Sequence, residues 1–226
     1  MQIIISWPWF CAVFGLLLVI TFMMSLQSAH FYTKDNVIYK FSIIDLELPS
    51  TPTELVNLIK GLYKLPEPLS KKAVSALKGQ LYIDFLFMPC AYGALFLLCM
   101  RVSEKMQPAI GADIFLVLAW LQGIAWLCDI IENIYLLRKI DPNPVLSSHS
   151  VHKAYLYMEA LKWGIALTAA ICAVSIICYF WLSGFYSAGS LRYAGIMAGE
   201  IILFLIASMI FLKKNKTRAG QKPVQA

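Results

Sequence analysis

Asp129-Ile130-Ile131-Glu132-Asn133 and Glu159-Ala160-Leu161-Lys162 put carboxyls, an amide and an amine into segments otherwise apolar enough to cross a membrane. An ionised side chain at the centre of a bilayer costs about 2.5–3.5 kcal/mol or more. Such groups persist where they tie helices together or act on a ligand. Carboxyls beside an amine suit acid–base chemistry, proton or cation binding, or an interhelical ion pair. At about 100° per residue, Gln122, Asp129, Glu132 and Asn133 share an arc of about 100°. By the same geometry His152, Tyr155, Glu159 and Lys162 share an arc of about 80°. The two stripes are expected to face each other, with Lys162 paired to Asp129 or Glu132. Asp84 is expected at the same depth on a third helix. Carboxyls outnumber the lysine, so the excess needs protons or other cations.

The elements that carry these residues follow from composition. The 226-residue chain is 60% hydrophobic and 14% charged, with mean hydropathy +0.70. A soluble domain has about 45–50% apolar and about 25% charged residues. The expected fold is therefore an all-α integral membrane protein, a bundle of five transmembrane helices. The spans are read at residues 3–26, 81–100, 114–137, 154–182 and 193–212, each near the length a bilayer requires. Together, residues 1–212 form one membrane domain, followed by a basic tail over 213–226 that is expected to be disordered. The first span is read as a retained helix rather than a signal peptide, since Met1–Ser6 has no charged side chain.

Lysine and arginine placement sets the orientation. Loop 1, the third loop, which includes Lys153, and the tail hold fifteen of these residues, against three in the other two loops. The N-terminus is expected outside and the C-terminus in the cytoplasm. The net charge of +6 then reflects topology and contact with anionic lipid, not nucleic-acid binding. All six cysteines fall inside spans without C-x-x-C spacing, which disfavours thiol redox chemistry and a disulfide framework.

Loop 1, residues 27–80, is expected to be partly ordered. Ala29–Thr33 and Val37–Phe41 flank Lys34-Asp35-Asn36 as a short hairpin. Thr51-Pro52-Thr53-Glu54 reads as a capping box at the start of a short amphipathic helix. Its apolar face is Leu55, Leu58, Ile59 and Leu62. Ser70 is read as the cap of a further helix leading into span two. In span five, Gly195-x-x-x-Gly199 predicts close helix packing, with Glu200 beside it bonded to a neighbouring helix.

No cofactor is expected, and no metal. His149 and His152 lie near the acids, but the spacing fits neither H-E-x-x-H nor the E-x-x-H of di-iron bundles. Nucleophile-elbow and phosphate-cradling motifs are absent from the sequence. Ile44-Asp45-Leu46-Glu47-Leu48, Thr51-Pro52-Thr53-Glu54, Tyr82-Ile83-Asp84-Phe85-Leu86-Phe87 and Asp129-x-x-Glu132-Asn133 together resemble a group of uncharacterised bacterial multi-pass membrane proteins, over about residues 43–137. The resemblance points to a bacterial inner membrane and implies no activity, so no residue role is taken from it. Two functions stay open: a polar intramembrane site near the cytoplasmic face that binds or transfers a small ligand, cation or proton, or a structural protein whose polar residues only bridge helices. Protein partners are not legible.

Overall fold

A computed structural model describes residues 6–107 and 109–220, with side chains described as far as Phe211. Five long helices carry the apolar sequence: α1 (Trp7–Ser28), α4 (Glu67–Lys105), α5 (Ala109–Lys139), α6 (His149–Leu182) and α7 (Leu191–Gly220). Each is long and apolar enough to cross a membrane. Loop 1 contributes strands β1 (Tyr32–Lys34) and β2 (Ile38–Lys40) and two short helices, α2 (Ile44–Glu47) and α3 (Pro52–Tyr63). One helix was expected there.

The long helices face outward with apolar side chains. On α5, Trp120, Ile124, Leu127 and Ile131 are all exposed. Their spacing of i, i+4, i+7, i+11 makes one stripe, on the side away from Asp129 and Glu132. Such a stripe belongs against lipid, since its exposure to water would be unfavourable. The inward faces pack α4 against α5, α5 against α6, and α1 against both α4 and α7.

Helix α4 starts at Glu67 rather than Leu81, so the segment expected to begin at Ser70 and the second span form one continuous helix. At 39 residues it is about 58 Å long, well beyond the hydrocarbon thickness. Its first turns therefore project past the bilayer on the loop 1 side. Pro89 lies inside it without ending it, as neighbouring spans allow. Helix α7 continues to Gly220, through the first part of the segment expected to be disordered; residues 221–226 lie outside the described residues. Residues 3–5 of the expected first span also lie outside them.

Loop 1 folds onto the projecting part of α4. β1 and β2 pair antiparallel, Thr33 opposite Tyr39. α3 starts where the capping box placed it: the Glu54 amide donates to Thr51 Oγ1 at 3.2 Å. The reciprocal bond differs, because the Glu54 carboxylate accepts from the Ser50 amide at 2.7 Å, one residue before Thr51. Leu55, Leu58, Ile59 and Leu62 are all buried, in one core with Phe31, Leu46, Leu77, Leu81 and Leu136. A second core fills the far end of the bundle, around Trp7, Phe10, Cys99, Ala119, Ala173 and Phe180. There Trp7 stacks on Trp181 at 5.1 Å, and Gly184, at φ 76°, turns the chain after α6 as only glycine does readily.

Candidate polar site within the bundle

Between these two cores lies the polar layer. Asp129, Glu132 and Asn133 on α5 and His152, Tyr155, Glu159 and Lys162 on α6 are all buried. The two stripes face each other. Lys162 Nζ lies 3.2 Å from Asp129 Oδ1 and pairs directly with Glu132 Oε2. It also lies 2.8 Å from Glu159 Oε2, one turn back on its own helix. Asp84 joins from α4, accepting from Asn133 Nδ2 at 2.7 Å. The small apolar cluster of Met88, Tyr92 and Ala125, with Phe85, Ile130 and Ile165 against it, packs α4, α5 and α6 together around this point.

Two residues enter the layer that the sequence reading left out. Tyr92 donates its hydroxyl to Asp129 Oδ2 at 2.9 Å. It follows Asp84 by eight residues, about 80° around the helix, so extending the Asp84 face by two turns would have found it. Glu47 arrives from α2. Its carboxylate and those of Glu132 and Glu159 bring ligand atoms within 4.8 Å of one another. No local pattern in loop 1 announces this, because it depends on how the loop folds back. Tyr155 fixes that fold: its hydroxyl donates to the Leu46 carbonyl at 3.2 Å, and its ring packs on Tyr135 at 4.9 Å. Burial holds the Glu47 carboxyl above its usual range; Lys162 opposes this shift, while Glu159 and Asp129 add to it.

The layer divides into two halves. On the α4–α5 side the polar groups are satisfied: Asp129 accepts from Tyr92 and Lys162, and Asn133 donates to Asp84 and to the Leu81 carbonyl. On the α2–α6 side they are not. Glu159 is fully buried, yet neither of its oxygens has a directed hydrogen bond, and Glu47 Oε2 is likewise buried without a partner. Around a single lysine stand Glu47, Asp84, Asp129, Glu132 and Glu159. A buried carboxylate without compensation costs several kcal/mol, so the carboxyls in excess of Lys162 either are neutral acids or need a further cation.

Other expected members fall elsewhere. Gln122 is buried but donates to the Leu118 carbonyl of its own helix at 3.0 Å. Seven residues from Asp129, it sits about 10 Å further along α5 and takes no part in the ion pairs. His149 is exposed, while His152 is buried with Nε2 unpartnered. The glycine pair of α7 does not mark a close contact: a Cβ built on Gly195 or Gly199 meets nothing within 4 Å. The close approach is at Gly15 of α1, where a Cβ would lie 2.8 Å from Glu200 Oε1. Gly195 is on the exposed side of α7, so the expected packing role passes to Gly15. Glu200 does abut a neighbouring helix, but its Oε2 finds no hydrogen-bond partner there.

Clefts among the described residues open elsewhere. One of about 790 Å³ lies beside Tyr63, Lys71, Lys78 and Tyr82, and one of about 380 Å³ between α1 and α7 beside Gly15, Phe22 and Glu200. No protein-family model, curated protein or solved structure matches the chain.

Proposed function

We propose that this is a multi-pass protein of a bacterial inner membrane, N-terminus outside, whose buried layer binds a small positively charged species: a proton, a metal ion or an amine. One observation carries the reading. Glu159 is fully buried, with Oε1 lacking any donor and Oε2 reached only by the Lys162 ammonium that it shares with Asp129 and Glu132, in a layer where carboxyls exceed the one lysine. A set of groups serving only to join helices would satisfy its hydrogen bonds, as the α4–α5 half does. That saturated half favours a second reading, in which the layer is structural throughout; interhelical polar contacts of this kind contribute about 0.6–2 kcal/mol each.

Orientation rests on the lysine and arginine asymmetry, and the inner-membrane assignment on the resemblance of residues 43–137. With this orientation loop 1, α2 and α3 lie in the cytoplasm, and Glu47 is the carboxyl nearest that side. Anionic lipid is the expected partner of the basic surface, and the cleft between Lys71 and Lys78 is at the right level for headgroups.

Infrared spectroscopy of the metal-free protein tests the reading. With no other cation present, protons must neutralise the excess. The expected result is a carboxylic-acid carbonyl band at neutral pH that diminishes in Glu159→Gln. Its absence from the wild type would show the carboxyls already balanced and would favour the structural reading.

A further inference from the structure

We infer that Glu47, Glu132 and Glu159 form a binding site for a hard divalent metal ion, of the Mg²⁺, Mn²⁺ or Ca²⁺ class; this rests on the cation-binding reading above and names its ligand. The three carboxylates come from three separate elements, α2, α5 and α6, and converge with ligand atoms within 4.8 Å of one another. That bound matches the separation of about 4.8 Å between opposite oxygens around Ca²⁺; around Mg²⁺ they lie about 4.2 Å apart, so a smaller ion would draw the carboxylates inward. The donors are all carboxylate oxygens, which suit hard cations and not the softer metals that prefer sulfur or imidazole.

An independent observation points to a ligand. Glu159 is wholly buried, its carboxylate is one of the converging three, its Oε1 has no partner, and its Oε2 has only the Lys162 ammonium, at 2.8 Å and without hydrogen-bond alignment. Glu47 Oε2 is unpartnered in the same place. A metal ion would satisfy both at once.

Lys162 is then the resident competitor. It contacts Glu132 and Glu159, two of the three ligands, and also Asp129, which is not one of them. An arriving ion can displace the ammonium toward Asp129 without leaving it unpaired. Glu47 sits on the solvent-facing loop and is only half-buried, so it supplies the entrance and completes the site last.

The test is Mn²⁺ titration of the purified full-length protein in detergent, after chelator treatment, followed by electron paramagnetic resonance. One Mn²⁺ per chain is expected, displaced by Ca²⁺ or Mg²⁺, with affinity at least tenfold weaker in Glu47→Gln. This variant leaves every ion pair of Lys162 in place and is expected to fold. Two results overturn the inference: no stoichiometric Mn²⁺ site in the wild type, or equal affinity in wild type and Glu47→Gln. If Mn²⁺ fails to bind while the carboxylic-acid band is present, the metal assignment falls and the layer is left as a proton site. If both are absent, the broader reading falls with it.

Discussion

Lys162 is the residue on which the layer depends. Among the described residues it is the one cation set among Glu47, Asp84, Asp129, Glu132 and Glu159, and it contacts three of them. Removing one partner of a buried ion pair costs about 3–5 kcal/mol, mostly from the charge left behind. Lys162→Met, which keeps the chain's volume, is therefore expected to lose stability on that scale, read as a large drop in thermal midpoint in detergent. A change of less than about 1 kcal/mol would mean that the carboxyls are neutral without it. That Lys162 would pair with Asp129 or Glu132 was legible because helical periodicity fixes which residues share a face; that it reaches both, and Glu159 as well, was not. Glu47 was not legible. Periodicity acts within a helix, whereas Glu47 reaches the layer through a tertiary fold of loop 1 held by the Tyr155–Leu46 bond.

The elements show the same division between local and tertiary signals. The α3 cap and its buried face Leu55, Leu58, Ile59 and Leu62 followed from spacing alone. Five apolar segments of sufficient length gave the five long helices. What spacing could not give is which glycine meets a neighbour. Gly195-x-x-x-Gly199 has the pattern of a packing motif, but pattern does not specify which side of α7 turns toward α1. Gly15, with no such pattern, is where α1 and α7 approach. Leucine at Gly15 is expected to displace Glu200 and destabilise the α1–α7 pair by about 1–3 kcal/mol, as overpacking usually does. Leucine at Gly195 or Gly199 should change stability by less than about 0.5 kcal/mol. Thermal unfolding of the three variants checks this, and a larger loss at Gly195 than at Gly15 would contradict the packing described.

At the scale of the whole molecule, the polar layer lies between the loop 1 core and the aromatic core at the opposite end of the bundle. Loop 1 covers one end, so only that side offers Glu47 to water. The proposed orientation puts this end in the cytoplasm. A cysteine at Asn143, beside loop 1, should resist a membrane-impermeant thiol reagent in intact cells, while one at Glu104 should react; the reverse pattern would invert the topology. Glu159 is, on the proposed function, an excess carboxyl kept for a ligand rather than a bridge between helices. Thermal unfolding of Glu159→Gln in metal-free detergent solution tests it most directly. The midpoint is expected to equal or exceed that of the wild type, because the change removes a buried carboxyl that must otherwise take up a proton and leaves Lys162 paired to Asp129 and Glu132. A fall comparable to that of Lys162→Met would contradict it and make Glu159 part of the glue.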